Sequence, residues 1–250
     1  MMQTTNPNSI NPNISVDCVI FGFDDDDLNV LLVDRTLTDE KTGKIIFSDY
    51  TLAGNHIFEN EDLSDAAYRI LFDLTGLKNI FLEQFGVFSH PNRLSKPNDQ
   101  KWLIANRKDP NNRIITVGYL ALIATRNITL EWKGRNVEWR PLSKIKELAF
   151  DHNEILNSGL AALRNKLLNE PIGFELLPDK FTLSQLQRVY EVVLGNPLDK
   201  RNFRKKVSRM KYLIPLNEKQ RGVAHKPAQL FMFSREVYEK TKQKLFDFSI

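Results

Sequence analysis

The stretch LAGNHIFENEDLSDAAYRILFDLTGL, residues 52–77, decides the fold. A glycine lies near its start at position 54, and residues 62–74 have the pattern of a helix. A glycine turn followed by an acid-bearing helix is typical of a segment that holds a metal–diphosphate group. Several positions that would need acids are apolar here. The stretch therefore predicts a domain shaped for such a ligand, with an incomplete catalytic set.

The spacing of this stretch resembles the Nudix box. The positions that agree with the Nudix pattern are Glu61, Arg69, Leu71, Gly76 and Leu77. Asn55 stands where the pattern opens with a glycine, and Gly54 comes one place early. Ile70 and Leu74 replace two glutamates, and Asp73 replaces a third.

The replaced positions share one helix face, because 70, 73 and 74 are spaced i, i+3 and i+4. In a working hydrolase that face carries acids for Mg²⁺, a hard cation that prefers oxygen ligands. Two separated carboxylates, Glu61 and Asp73, make a poor magnesium site. The sequence therefore predicts no catalytic residues, no metal ligands and no cofactor. Glu61 has an alternative interpretation as an acid that favours the start of the helix.

Strand-like segments surround the helix and predict an α/β (α+β) domain, a Nudix-like α/β/α sandwich. These segments are 16–23, 28–35, 81–89, 114–124 and 136–145. The tetra-aspartate at 24–27 is interpreted as a solvated turn, and 90–113 as a long loop that closes over a ligand or helps dimerisation. Residues 1–15 are predicted to be a flexible tail, 16–148 the Nudix-like domain, and 149–250 a second domain.

The second domain has the element order of a winged helix-turn-helix. A helical stripe at 154–168 precedes a predicted strand at 172–177. Thr182 and Gln185 form a capping box before the helix 183–194, and Asp199 caps a basic helix at 200–210. Two strands, 212–218 and 229–234, flank a basic loop.

The basic helix is predicted to bind DNA. Phe203, Val207 and Met210 form its inward face. Arginine pairs with guanine, asparagine with adenine, and lysine holds phosphate. The predicted DNA-binding residues are Lys200, Arg201, Asn202, Arg204, Lys205, Ser208, Arg209, Arg221 and Lys226. A merely solvated basic face is the alternative. His225, in the same basic loop, receives no separate role.

The charge distribution agrees with two separate functions. The net charge is +4, but residues 171–250 hold 16 Lys and Arg against 8 Asp and Glu, a balance of +8. With one cysteine, Cys18, no internal disulfide is possible. The first residues lack the basic start and apolar stretch of a signal peptide, and no apolar run is long enough to span a bilayer. A cytoplasmic protein without a membrane partner is expected.

A degenerate Nudix box followed by a winged helix resembles the Nudix-related transcriptional regulators of bacteria, over roughly residues 15–235. The stretches FTLSQLQRVYEVVLGNPLDKRNFRKKV (181–207) and LAFDHNEIL (148–156) carry the resemblance most strongly. It implies a homodimer that binds a palindromic double-stranded operator and is released by a small effector. Some members control NAD metabolism and respond to ADP-ribose, whereas others control the catabolism of sugars such as arabinose.

The missing acids favour a neutral sugar, with L-arabinose first, and a repressor of a catabolic operon. The candidate effector-binding residues are Asn55, His56, Glu61, Asp73, Phe88, His90 and Asn92, with Phe85 and Trp102 as further aromatic candidates. Phe85 and Phe88 have an alternative as core residues, and His56 as a loop histidine. Three alternatives remain: an ADP-ribose sensor, an active hydrolase of a nucleoside diphosphate sugar, and a nucleic-acid adaptor without an effector.

Overall fold

The computed structural model describes residues 9–78, 80–125, 136–223 and 226–241. Contacts divide the chain into two units. Among the described residues, the first unit comprises 9–22, 29–78, 80–122 and 136–161, and the second comprises 23–28, 123–125 and 162–241. Every helix in these ranges is too short or too polar to cross a membrane.

Seven strands of the described chain form one sheet: β1 (Ile10–Phe23), β2 (Leu28–Thr38), β3 (Ile45–Thr51), β4 (Ala53–Phe58), β5 (Glu83–Phe88), β6 (Ile115–Ala124) and β7 (Val137–Pro141). Their order is β3-β2-β1-β6-β5, with β4 paired to β1 and β7 paired to β2. β1 is buried without a break from Val16 to Phe23, because it lies inside the sheet and is covered on both faces. It therefore forms the centre of the core.

Three helices accompany this sheet: α1 (Leu63–Thr75), α2 (Pro97–Ala105) and α3 (His152–Asn169). α1 buries Ala66, Ala67, Ile70 and Leu71, which recur at helical spacing. It ends at Gly76, whose φ of 73° lies in the left-handed region and whose N–H donates to Phe72 O at 2.8 Å. The helix predicted at 62–74 is confirmed.

Two predictions about the first unit were wrong in part. The predicted tail 1–15 includes strand from Ile10 onward. Its side chains are polar, but its backbone pairs with β4, with Ser15 opposite His56. Residues 1–8 lie outside the described residues. The predicted loop 90–113 contains α2, which begins with Pro97 and buries Leu103. Proline is favourable in a first helical turn, where its missing N–H costs nothing.

The division between the units falls within α3, whereas the sequence analysis placed a boundary after residue 148. Ile155 and Leu156 are fully or nearly fully buried in the first half of α3. A Cβ atom on Gly159 would contact Val19 and Phe85 at 3.3 Å. The first half of the helix therefore packs on the sheet of the first unit.

The second unit contains a 3₁₀ helix (Pro171–Leu176), α4 (Leu183–Leu194), α5 (Lys200–Val207), β8 (Leu213–Lys219), β9 (Gln229–Phe233) and α6 (Arg235–Thr241). β8 and β9 pair antiparallel, and Phe181 bridges to Phe231 beside them. Phe174 stacks on Phe233 with ring centroids 4.6 Å apart, and Tyr190 meets Phe203 edge-on at 6.0 Å. These rings join the helices to the wing.

The strand predicted at 172–177 was wrong, since these residues form the 3₁₀ helix. Pro171 opens the turn, and the N–H of Leu177 donates to Phe174 O at 3.2 Å. A short apolar run has no periodicity that separates a buried strand from a buried turn of helix. The predicted element order is otherwise confirmed from α4 to β9, although α5 ends at Val207 rather than at Met210.

Candidate functional sites

The helix face that carries acids in a working Nudix enzyme is apolar or solvated in this protein. Ile70 is 1% exposed and packs in the core, whereas Asp73 is 59% exposed. Arg69 lies 3.9 Å from the Asp73 carboxylate through its Nη1. A dication at this face would meet hydrocarbon where it needs oxygen ligands. The residues present do not fit a Nudix magnesium site.

Glu61 and Arg69, two positions that agree with the Nudix pattern, form an ion pair. Arg69 Nη2 donates to Glu61 Oε2 at 2.6 Å, and the same oxygen accepts from the N–H of Phe58 at 3.0 Å. The Arg69 guanidinium also lies 4.1 Å from the centre of the Phe58 ring. The hydrogen bond from Arg69 lowers the pKa of the Glu61 carboxyl. This pair fastens the β4–α1 turn.

A cavity of about 280 Å³ opens in the first unit beside Gly54 and Asn55. Its buried floor includes Asp17, Arg35, Arg93, Thr116 and His152. Exposed or half-buried residues form its rim: Ile10, Asn55, Asn106 and Lys108. Leu94, Trp102 and Leu103 belong to the segment 90–113, which therefore supplies one wall.

Two arginines of the floor are held by carboxylates. Arg35 donates to both oxygens of Asp49, from Nε and Nη2, each at 2.6 Å. Arg93 pairs with both oxygens of Asp151, at 2.8 Å from Nε and 2.7 Å from Nη2. Arg93 also donates to Thr116 Oγ1. Such bidentate pairs fix the guanidinium planes, so the floor is a rigid surface.

His152 is buried and neutral in this floor. Its Nδ1 accepts from the N–H of Leu52 at 3.0 Å, so the ring proton belongs on Nε2. Nε2 lies 3.6 Å from Asp17 Oδ1. Burial lowers the pKa of His152 and outweighs the opposing effect of Asp17. A neutral ring at this place adds no positive charge to the cavity.

Gly54 is required by the close approach of Asp17. The two residues face each other across the β1–β4 pair, and a Cβ atom on Gly54 would lie 1.6 Å from Asp17 Oδ1. The glycine that the Nudix pattern places one residue later is therefore needed at position 54, where the carboxylate turns into the cavity.

In the second unit, α4 and α5 are joined by a tightly bonded turn. The capping box predicted at Thr182 and Gln185 is confirmed, and α4 ends at Gly195 with a φ of 77°. Gln187 Nε2 donates to Leu198 O at 2.9 Å, and the N–H of Leu198 donates to Glu191 Oε1 at 3.0 Å. These bonds fix the direction in which α5 leaves the turn.

The predicted cap of α5 is confirmed, since Asp199 Oδ1 accepts from the N–H of Asn202 at 2.8 Å. Phe203 and Val207 are buried and Met210 is half-buried, as the predicted inward face requires. The outward side chains are all exposed: Lys200, Arg201, Asn202, Arg204, Lys205, Ser208 and Arg209. Within the described part of the chain, none of the five cations in this set forms an ion pair. Their charge faces solvent.

The wing also exposes basic residues. Lys219 ends β8 opposite Gln229, and the N–H of Gln220 donates to Ala228 O at 2.9 Å. Arg221 and Lys226 are exposed in the loop between the strands. His225 lies outside the described residues. The wing thus places exposed cations at three positions on one hairpin.

Comparison with known proteins agrees with this architecture. Residues 173–233 match the family model described as the NrtR DNA-binding winged helix domain. The chain is also similar to the crystal structure of Shewanella oneidensis NrtR complexed with a 27mer DNA, with a TM-score of 0.63 and 27% identity over 88% of this chain and 93% of that one. The chain therefore shares the fold of these proteins, a Nudix-like domain followed by a winged helix domain.

Two further relatives extend the similarity along the chain. An "ADPR responsive transcriptional repressor NtrR" of Acinetobacter baylyi is 27% identical over 242 residues, 95% of this chain and 88% of the relative. A MutT/nudix family protein from Enterococcus faecalis has a TM-score of 0.64 at 24% identity, covering 93% of this chain and 90% of that one. The second similarity concerns the fold alone.

The winged helix domain exposes every residue predicted to bind DNA. The contacts of these residues with DNA remain a prediction. Some of the residues predicted to bind the effector line the cavity of the Nudix-fold unit, and others do not. Asn55 and His56 line the cavity, as does Trp102. Glu61 is held by Arg69, and Asp73 is solvated away from the cavity lining.

The other three candidates also lie outside the cavity lining. Phe88 is a core residue, edge-on to Phe85 at 5.9 Å, as its alternative interpretation stated. His90 and Asn92 are exposed, and the N–H of Asn92 donates to His90 Nδ1 within their own turn. They fail as cavity residues because this turn points their side chains to solvent.

The charged floor of the cavity was not predicted from the sequence. Its residues are far apart in the chain, and each appears as a lone polar residue beside an apolar stretch. The available signal was Asp17, a carboxylate within a strand that is otherwise continuously apolar. A buried acid needs a partner, and Arg93 and His152 lie within 3.9 Å of it.

Proposed function

We propose that this protein is a DNA-binding transcriptional repressor whose Nudix-fold unit binds ADP-ribose as its effector. The observation that carries the proposal is α5: a capped helix with four exposed, unpaired cations in the described chain and a fifth, Arg209, just beyond its end, inside a segment that matches the NrtR DNA-binding model. Unpaired cations contribute little to the free energy of folding. They contribute strongly to the affinity for a polyanion such as DNA, because binding releases counterions from the DNA.

In this proposal α5 enters the major groove. Arg201 and Arg204 donate paired hydrogen bonds to guanine, and Asn202 bonds to adenine. Lys200, Lys205, Ser208 and Arg209 hold the backbone, and Arg221 and Lys226 of the wing contact phosphate or the minor groove. A homodimer would read two half-sites of a palindrome about 34 to 36 Å apart, or a multiple of that distance.

ADP-ribose replaces L-arabinose as the proposed effector. The pentose was favoured by the missing acids, but no relative reported above is described as a sugar sensor. The Acinetobacter baylyi relative, similar over 95% of this chain, is described as ADPR responsive. Loss of the magnesium-binding face removes the metal but leaves the cavity, so the missing acids argue against hydrolysis rather than against a nucleotide.

The proposed mechanism is a coupling of two binding equilibria. ADP-ribose that binds more tightly to the DNA-incompetent state lowers the affinity for the operator, and DNA lowers the affinity for ADP-ribose by the same factor. Hydrolysis plays no part, because Ile70 and Leu74 supply no ligand for magnesium. The protein acts as a regulator and not as an enzyme.

The test is a fluorescence anisotropy titration of the full-length protein with labelled DNA from upstream of its own operon. We expect specific binding at moderate salt, release by ADP-ribose, and no release by L-arabinose. The affinity should fall as salt rises, and Lys205→Ala should reduce the slope of log K against log salt by about one.

Other outcomes would contradict the proposal. Equal affinity for unrelated DNA would indicate a general nucleic-acid adaptor. Magnesium-dependent turnover of ADP-ribose that disappears in Glu61→Ala would indicate an active hydrolase. Release by L-arabinose alone would restore the sugar sensor.

A further inference from the structure

We infer that Arg164 of α3 is a positioning residue for the reading of DNA: its guanidinium holds the end of α4 and thereby sets the direction of α5. This inference rests on the proposed function and goes beyond it, because Arg164 is not among the residues proposed to touch DNA. The residues concerned, 163–202, all belong to the second unit.

The last turn of α4 contains a buried carbonyl that its own helix cannot satisfy. In a continuous helix, the carbonyl of Val193 would accept from the N–H four residues later. That residue is Pro197, which has no N–H. Val193 is 0% exposed, so water does not take the place of the missing donor. A buried carbonyl in this position needs a donor from another element of the protein.

Arg164 provides that donor. Its Nε donates to Val193 O at 3.0 Å, across from α3 to α4. Arg164 is half-buried, and within the ranges that the structure describes no carboxylate pairs with it. Its positive charge lies at the C-terminal end of α4, where the helix dipole favours a cation. Arg164 therefore acts as a cap of α4 that a neighbouring helix supplies.

The part of α3 that carries Arg164 is firmly packed. Leu163 and Leu167, on either side of it in the chain, are fully buried. A Cβ atom on Gly173 of the 3₁₀ helix would lie 3.0 Å from Leu167 and 3.4 Å from Val189 of α4. Interiors packed this closely resist sliding of one element past another. The guanidinium therefore reaches α4 from a fixed position.

Gly195 leaves room for this guanidinium at the start of the turn. Its φ of 77° lies in the left-handed region, and a Cβ atom there would lie 2.9 Å from Arg164 Nη2. The arginine thus lies close to two places, the last turn of α4 and the first residue of the link to α5. Both would be released together if the guanidinium were removed.

The link between α4 and α5 is consequently held at both ends. At its far end, Gln187 and Glu191 of α4 bond to Leu198. At its near end, Arg164 bonds to Val193 O. The link runs from Gly195 to Leu198 and is followed at once by Asp199, the cap of α5. In so short a link, a change in the end of α4 changes the direction of α5.

The direction of α5 matters more for reading sequence than for holding the backbone. Paired hydrogen bonds from arginine to guanine depend on the orientation of the guanidinium plane. Lysine attracts phosphate as a point charge and tolerates a tilt. Loss of the Arg164–Val193 bond should therefore weaken binding to the operator and leave binding to unrelated DNA nearly as it was.

The experiment compares operator and unrelated DNA by fluorescence anisotropy, on full-length Arg164→Met and Arg164→Lys. Arg164→Met removes every donor, and it should reduce the ratio of operator affinity to unrelated-DNA affinity by about fivefold or more. The slope of log K against log salt on unrelated DNA should equal that of the wild type, because Arg164 holds no phosphate. Arg164→Lys keeps a charged donor and should restore the ratio to within about twofold of the wild type.

The matched control is Lys166→Met. Lys166 lies on the same helix and is paired with Glu170 at 2.8 Å, so its loss removes the same charge from α3 without touching the turn. Its affinity ratio should equal that of the wild type. If Arg164→Met has a lower melting temperature but the wild-type ratio, its role is structural only and the inference is overturned. A salt slope that falls by about one would mean a phosphate contact and would overturn it as well.

An independent variant and a measurement without DNA complete the test. If Arg164→Met does not fold, Gly195→Asn decides, because asparagine tolerates a positive φ and its side chain would take the place of Arg164 Nη2. A wild-type affinity ratio in Gly195→Asn overturns the inference.

Hydrogen exchange of the turn 195–199 in the free protein separates this inference from the proposed function. Arg164→Met should exchange faster there than the wild type, and Lys166→Met should not. If the wild type prefers no DNA site while the exchange rises as expected, the proposed function fails and the hold of Arg164 on the turn stands. If the operator is bound specifically but the exchange of Arg164→Met is unchanged, the proposed function stands and the inference is overturned.

Discussion

Helices α1 and α5 are both amphipathic. α1 ends with a cap at Gly76 and α5 begins with a cap at Asp199, but their charged side chains differ in whether they are paired. On α1, Arg69 is bound to Glu61 and covers Phe58, and the former acidic positions are filled with Ile70 and Leu74. On α5 the arginines and lysines are left facing solvent. The charge on α1 is paired within the protein, whereas the charge on α5 is available for the proposed contact with DNA.

Restoring an acid to α1 should have the largest effect. Ile70→Glu places a carboxylate where the side chain is 1% exposed. An uncompensated buried charge costs about 3 to 5 kcal/mol of the free energy of unfolding. Chemical denaturation at neutral pH measures the loss. Tyr68→Glu on the exposed side of α1 is the control, and equal stability of the two variants would refute the account of this face.

Removing a charge from α5 should have the next largest effect, on binding rather than on folding. Arg201→Ala or Arg204→Ala should cost about 1 to 3 kcal/mol of operator binding, roughly five- to 150-fold in affinity. The melting temperature should remain nearly unchanged, because both side chains are exposed. Arg235→Ala is the control, since Arg235 is exposed in the same unit and bonded to Glu175 at 3.0 Å. A similar loss in this control would mean that net charge alone matters.

The cap of α5 offers a smaller test. Asp199→Ala removes the acceptor for the N–H of Asn202 and should lower the free energy of unfolding by about 1 kcal/mol. Asp199→Asn keeps a capping side chain and should retain most of the stability. Thermal denaturation of the three proteins compares them. If alanine and asparagine behave alike, the effect belongs to the charge and not to the cap.

The Glu61–Arg69 pair predicts the smallest effect, a pH dependence. Because the pKa of Glu61 is lowered in the folded protein, its contribution is present above the ordinary pKa of glutamate and is lost as the pH falls through the lowered value. Wild type should be more stable than Glu61→Gln at neutral pH, and the difference should shrink in acid. Urea denaturation at several pH values tests this. A constant difference would contradict the assigned hydrogen bond.

Local patterns were enough to predict α1, α4, α5 and the wing, because their caps and apolar spacings lie within a few neighbouring residues. The capping box at Thr182 and the cap at Asp199 are of this kind. α2 was not predicted because its sequence, PNDQKWLIA, has little apolar periodicity. The 3₁₀ helix escaped because six residues are too few to show a period.

The cavity floor was not predicted from the sequence for a different reason. Arg35, Arg93 and Asp151 come together only after the sheet has formed, and no spacing in the chain encodes that meeting. Of the predicted effector residues, only Asn55, His56 and the further candidate Trp102 line the cavity. The exposed face of α5 was predictable because one short helix creates it alone.

The contact between Gly54 and Asp17 offers a way to test the two proposed activities separately. Any side chain at position 54 must displace the Asp17 carboxylate, since its Cβ would lie 1.6 Å from Oδ1. Gly54→Ala would thereby move a residue of the cavity lining without changing the sequence of α5. If the proposed function holds, such an allele would stay on its operator when the effector accumulates.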